Sequence, residues 1–224
     1  MNFYPVTVVD NFLNNPDEVR AFALRQQYRF CHEIKDIDYV FPGSRTTDLF
    51  DLDKKLYAEI CKKFVSIFHN TEHDVMRWSV TTSFQIVTAE YGRGVIHSDH
   101  NTIMAAVLYL TPDASLEAGT SLFKKNQSFD EAKYQQALED NDARFKKGEI
   151  KMDTAYHSMF DEIVRVNNVY NSLIIYEGDI HHCANQFFGD TPENGRLAQV
   201  FFISKIDAKK HDIFPLHRKK QINV

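Results

Sequence analysis

Residues 78–88 read W-S-V-T-T-S-F-Q-I-V-T, from Trp78 to Thr88. β-Branched and aromatic side chains dominate the stretch, which is the composition of a strand half-buried on a pleated surface. Residues 102–110, 163–169, 172–176 and 197–203 repeat the texture, and turn formers separate several of these runs: Gly92 and Gly94, Pro112 with Asp113, Gly178 with Asp179, and Gly195. Upstream the pattern differs. Residues 6–9 form one short β-branched run. Asn15-Pro16-Asp17-Glu18 then reads as a helix start, with Asn15 as cap, Pro16 in the first turn and Glu18 three residues after the cap. Residues 51–68 place Leu52, Leu56, Ile60, Phe64 and Phe68 on one helical face. Helices first and strands afterwards indicate an α+β, mainly β chain with a sandwich or barrel at its centre.

The length of 224 residues suits one elaborated domain, residues 1–224. Between 124 and 160 the strand pattern breaks. Residues 130–147 alternate acids and bases among Ala and Gln, so 124–160 reads as an inserted polar helix and flap within the domain. The tail after Lys205 is basic through Lys209, Lys210, Arg218, Lys219 and Lys220, and such runs are commonly solvated. Lys and Arg number 26 against 31 Asp and Glu, a net charge of −5, which disfavours a nucleic-acid partner. Cys31, Cys61 and Cys183 are too few and too far apart for a disulfide framework and point to a reducing compartment. With no secretory leader and no apolar run long enough to cross a bilayer, the expected location is cytoplasmic and no membrane partner is expected.

Chemistry enters at His97-Ser98-Asp99. On a strand, residues two apart share a face, so an imidazole nitrogen and a carboxylate oxygen can meet one metal. His181-His182 follows a second strand-like run, and adjacent strand residues face opposite sides, so one of the pair can join them. Two histidines and a carboxylate that leave coordination positions free are the donor set of non-haem Fe(II) oxygenases. Arg196 then opens the apolar run 196–203. An arginine there is costly unless an anion pairs with it. A carboxylate cosubstrate would do so through a bidentate fork, and a salt bridge at the strand edge is the competing reading. His69 and His73 are spaced for zinc on a helix but lack the glutamate of H-E-x-x-H. His100 is placed to line a pocket, and Cys183 reads as core. No Walker loop or G-x-S-x-G elbow occurs.

In this order the residues resemble the Fe(II)- and 2-oxoglutarate-dependent oxygenases. Residues 84–87 and Tyr91-Gly92-Arg93-Gly94 resemble the strand and turn that lead into H-x-D in prolyl-hydroxylase-like members. Residues 107–111 resemble their Y-L-N strand, Ala118-Gly119-Thr120-Ser121-Leu122-Phe123 their G-G-x-T-x-F region, and 171–182 the strand that delivers the distal histidine. Residues 9–13 and Phe41-Pro42-Gly43-Ser44-Arg45-Thr46 are similar to an uncharacterised bacterial and phage branch.

The resemblance implies a double-stranded β-helix, or jelly roll, with flanking N-terminal helices. It implies Fe(II) on His97, Asp99 and His182, with 2-oxoglutarate and O2 as cosubstrates, and it favours His182 over His181 by spacing. It also implies that Arg196 and Tyr109 share the distal carboxylate of 2-oxoglutarate, because the position two after the arginine, a serine in many relatives, is Ala198. Ala118 replaces the first glycine of G-G. The implied reaction is hydroxylation of a protein side chain or small metabolite, since halogenating relatives lack the carboxylate that Asp99 supplies. A non-catalytic jelly-roll binding module and a zinc-dependent hydrolase are the alternatives. The substrate and the oligomeric state stay open.

Overall fold

The computed structural model describes residues 6–35, 39–70, 76–99 and 101–208. In chain order the elements are β1 (Val6–Val9), α1 (Pro16–Leu24), β2 (Arg29–Phe30), β3 (Ser44–Arg45), α2 (Leu49–Leu52), α3 (Lys54–Ser66), β4 (Met76–Val87), β5 (Met104–Tyr109), β6 (Thr120–Lys125), α4 (Glu131–Lys146), β7 (Phe160–Val166), β8 (Leu173–Glu177), β9 (His181–Ala184) and β10 (Arg196–Ala208). They build two antiparallel sheets, one of order β1-β8-β5-β10-β4-β3-β2 and one of order β7-β6-β9. The basic residues 209–220, His73 and His100 lie outside the described residues.

Strand alternation gives the larger sheet two apolar faces. Phe84, Ile86, Met104, Leu108, Ile175 and Phe201 point outward to Phe12, Val19, Ile60 and Phe64 of the N-terminal segment and helices. Fully burying each such side chain stabilises the fold by roughly 1.5–3 kcal/mol. The alternate residues Ala105, Val107, Tyr109, Ile174, Tyr176 and Ala198 point inward to Leu122 of the smaller sheet. The layers therefore face one another, but no strand pair joins the sheets among the described residues, and they do not close into a barrel.

The helices begin where local chemistry starts them, with two departures from the sequence reading. Pro16 occupies the first turn of α1, but Asn15 makes no side-chain cap; its amide instead donates to Glu18 Oε2 at 3.4 Å. The single helix expected over 51–68 is two helices. Asp53 is extended, and its carboxylate accepts from the amides of Lys55 and Leu56 at 2.9 Å, so it caps α3 and ends α2. Among the described residues no helix is long and apolar enough to cross a membrane, and Cys31, Cys61 and Cys183 are unpaired.

The 124–160 segment contains the expected helix, α4, but it packs more tightly than its charge pattern suggests. Tyr134, Asn141 and Phe145 of α4 are buried, with Leu138 partly so, which makes an inward stripe at helical spacing. Tyr134, Tyr156, Met159 and Phe160 cluster on Ile96, Phe123 and Cys183. Asn141 and the backbone of Asp153 exchange hydrogen bonds at 3.0 and 2.8 Å. The sequence reading weighed the charges of this segment and missed a stripe of four inward positions on a polar helix.

Candidate metal centre

Two backbone arrangements bring the candidate metal-ligating residues together. His97 and His182 form an isolated antiparallel bridge, with amide-to-carbonyl distances of 3.1 and 2.8 Å, and directly opposed residues put their side chains on one face. Asp99 is not on a strand, as strand parity assumed. It sits in a loop whose amide donates to Gly178 O at 2.7 Å. Gly178 must be glycine, because a Cβ there would lie 2.0 Å from Thr102 O. The turn after β8 thus fixes both the approach of Asp99 and the start of β9.

Ligand-type atoms of His97, Asp99 and His182 lie within 4.8 Å of one another. Each histidine places Nδ1 2.9 Å from a backbone oxygen, Val95 O for His97 and Ile180 O for His182. A carbonyl only accepts, so Nδ1 carries the proton in each neutral ring and Nε2 presents a bare lone pair. Those Nε2 atoms face Asp99 Oδ1 and Oδ2 at 3.6 and 3.5 Å, too far for a hydrogen bond, and Asp99 Oδ2 is buried with no hydrogen-bond partner. Electron-rich atoms that converge on one point without a proton between them fit a divalent cation. The His97 side chain is 44% exposed while Asp99 and His182 are 13% and 7% exposed, so the site opens past His97.

Electrostatics follow the same geometry. Burial pushes the Asp99 carboxyl up, but His182, His97 and the nearby Arg45 outweigh it and hold it at about 2. Burial dominates at His182 and lowers it to about 4 against the pull of Asp99. At His97 burial acts downward, and the nearby Asp99 carboxylate overcomes it and raises the group.

His181 faces the other way, as adjacency requires. Its ring lies 5.6 Å from that of Tyr134 and 5.0 Å from that of Phe160, inside the aromatic cluster of the 124–160 segment. His181→Ala is expected to keep Mn(II) affinity within about twofold while lowering stability by about 1–2 kcal/mol through lost aromatic contacts. His182→Ala loses the metal. An Mn(II) titration with a thermal melt of each variant reads both, and the reverse outcome would place the register one residue off. Cys183 is 1% exposed, and burial pushes its thiol up to about 11, the behaviour of a core cysteine. His69 is buried and packs against Trp78.

Deeper between the sheets lies Arg196, 5% exposed. Its Nε donates to Ala118 O at 3.4 Å, and its guanidinium sits 5.4 Å from the Tyr109 ring centre and 5.9 Å from that of Phe187. Among the described residues no carboxylate lies within ion-pair distance of it, so the strand-edge salt bridge is not formed. Tyr109 is fully buried and donates to Thr120 Oγ1 at 2.9 Å. The turn before β6 tolerates Ala118 because the close approach is at the next residue: a Cβ on Gly119 would lie 1.9 Å from Val166 O. Sequence reasoning gave no separate role to Thr120, Phe187 or Arg45. Arg45 stood in a stretch quoted only for its resemblance, and no short-range spacing ties it to the metal-ligating residues.

No curated protein matches the sequence. Solved structures of similar fold include a prolyl hydroxylase from Trichoplax adhaerens in complex with a hypoxia inducible factor peptide. It is 10% identical, with a TM-score of 0.53, over 98% of this chain and 87% of that one. HygX from Streptomyces hygroscopicus, solved with nickel, 2-oxoglutarate and hygromycin B, is 11% identical, with a TM-score of 0.52, over 89% and 82%. EvdO2 from Micromonospora carbonacea var. aurantiaca is 12% identical, with a TM-score of 0.53, over 92% and 88%. At these identities the likeness is one of fold. Membership is carried by a family profile that matches residues 2–203: the chain belongs to DUF6445, a family of unknown function.

Proposed function

We propose that this chain is a Fe(II)- and 2-oxoglutarate-dependent dioxygenase on a double-stranded β-helix, hydroxylating a protein side chain or a small molecule. The observation that carries the reading is the pair of bare Nε2 atoms facing the Asp99 carboxylate, with the unpaired Arg196 held deeper between the same two sheets. HygX, of similar fold, has been solved with iron and separately with nickel and 2-oxoglutarate.

His97, Asp99 and His182 would hold the iron, which with 2-oxoglutarate and O2 supplies the oxidising power for hydroxylation and releases succinate and CO2. The backbone carbonyls of Val95 and Ile180 hold the proton of each neutral ring on Nδ1, which leaves Nε2 as the ligating nitrogen. Arg196 and Tyr109 would orient the distal carboxylate, the phenol turning its single proton to the carboxylate while Thr120 becomes the donor in their 2.9 Å hydrogen bond. Between them lie apolar side chains that exclude water. The 124–160 segment walls the site by packing on Ile96, and the Tyr156 hydroxyl donates to Ile96 O at 3.0 Å, one residue before His97. We read that wall as a substrate-selecting element and the unpaired cysteines as fitting a cytoplasmic setting.

The test is turnover. Anaerobically loaded with Fe(II) and then given 2-oxoglutarate, O2 and ascorbate, which supplies the two electrons the absent substrate would, the protein is expected to form succinate over many cycles. Tight binding of metal and 2-oxoglutarate with no succinate would leave a non-catalytic module. Hydrolytic activity with Zn(II) that is indifferent to 2-oxoglutarate would make it a hydrolase.

A further inference from the structure

A second guanidinium faces the same space. Arg45 on β3 is paired with Gln85 of β4, Gln85 with Ala198 of β10, and Ala198 with Tyr109 of β5. Directly opposed residues share a face, so Arg45, Gln85, Ala198 and Tyr109 form one row across the inner side of the larger sheet. Arg196, two residues before Ala198, lies on that face as well. Ala198 contributes only a methyl group to the row and is itself fully buried.

Arg45 is held but not neutralised. Its Nη2 donates to Gln85 Oε1 at 3.2 Å, and the Gln85 amide is fixed in turn by donation to Pro42 O at 2.7 Å. Its guanidinium carbon sits 4.5 Å from the ring centre of Phe41 and 5.5 Å from that of Phe202. Its Nε is buried with no hydrogen-bond partner, and no carboxylate lies within ion-pair distance among the described residues.

Charge balance shows what is missing, and this step rests on the oxygenase reading above. A divalent metal and Arg196 bring as much positive charge as Asp99 and a doubly ionised 2-oxoglutarate bring negative. Arg45 is then a half-buried positive charge in excess, with its Nε buried and unpartnered, and leaving such a group without an anion is costly. An arginine whose Nε lacks a partner, with two aromatic rings beside its guanidinium, is the donor that suits a planar two-oxygen anion. We propose that Arg45 holds a carboxylate of the primary substrate, and that Gln85 positions Arg45 for it. The substrate class is therefore a carboxylic acid whose apolar part lies near Phe41 and Phe202.

The experiment uses the full chain loaded with Zn(II), a diamagnetic filler, and saturating 2-oxoglutarate, which occupies the Arg196 end. Butyrate and its neutral twin butyramide are the probes, read by saturation-transfer NMR. Wild type is expected to bind butyrate at least tenfold more tightly than butyramide. Arg45→Gln removes the preference, and Arg45→Lys keeps part of it. Equal binding of the two probes by wild type overturns the proposal without any variant, so a poorly folding variant does not shield it. A preference that survives Arg45→Gln but is lost in Arg196→Ala also overturns it, by assigning the anion to the cosubstrate end. A stronger response to methyl phosphate than to butyrate overturns the carboxylate class. The two readings fail separately. A protein that retains neither Zn(II) nor 2-oxoglutarate, yet shows the Arg45-dependent preference, keeps the anion site and loses the oxygenase assignment.

Discussion

Asp99→Ala is expected to weaken Mn(II) or Fe(II) binding by about 100-fold or more, since even partners outside the ligand set cost metal sites about 10–100-fold. The carboxylate is the only anion among the three ligand side chains, and without it two imidazoles alone face the cation. A second effect separates loss of a ligand from loss of fold. In the metal-free protein Asp99 is what raises His97 against its own burial, so Asp99→Asn lowers the His97 titration seen by NMR. The sign carries over to stability. A raised histidine contributes stability that is fully present below its unfolded value of about 6.5 and is lost as pH rises through the folded value. That contribution disappears in Asp99→Asn. Metal binding shows the complementary dependence in wild type: the ion must displace the His97 proton, so affinity rises with pH until that group has titrated. Wild-type metal affinity in an Asp99→Ala protein with an unchanged melt would rule the ligand set out.

Arg196→Met should separate function from stability in opposite directions. Removing one partner of a buried, hydrogen-bonded charge pair costs about 2–5 kcal/mol, or roughly 30-fold to several thousand-fold in 2-oxoglutarate affinity. The metal-free protein pays a standing cost for the same residue, because the guanidinium is 5% exposed with no carboxylate beside it. An apolar side chain of similar volume relieves that cost by about 1–4 kcal/mol, and each kcal/mol corresponds to about 2–4 °C in a chain of this size. The melting temperature without ligand is therefore expected to rise while 2-oxoglutarate binding collapses and Mn(II) binding persists. Arg196→Lys keeps the charge without the fork and should fall between the two in affinity. Unchanged 2-oxoglutarate affinity in Arg196→Met, measured by calorimetry on the Mn(II)-loaded protein, would assign the anchor to another residue.

Local pattern was enough for much of this protein. The β-branched and aromatic texture of 78–88 and its repeats located β4, β5, β8 and β10, and β5 and β8, buried along their whole length, read as short continuous apolar runs between turn formers. The apolar face at 52, 56, 60, 64 and 68 packs on the larger sheet for the equivalent helical reason. Parity allowed only one of His181 and His182 to face the metal, the spacing of the resembled family favoured His182, and the structure turns His181 into the aromatic cluster and His182 toward Asp99.

What the sequence could not show depends on contacts between distant residues. The placement of Asp99 comes from a loop tied to Gly178, not from strand parity. The break at Asp53 is the exception, a local cap on the amides of Lys55 and Leu56 that the unbroken apolar spacing concealed. The inward stripe of α4 is diluted by surface charge until the helix docks on Ile96 and Phe123. Arg45 and Arg196 are far apart in sequence, and only the row Arg45-Gln85-Ala198-Tyr109, three strand pairings long, puts both on one face. Side-chain chemistry and its period are local properties that a chain carries with it. Which charges end up sharing one dry space is a property of strand register, and register exists only once the sheets have formed.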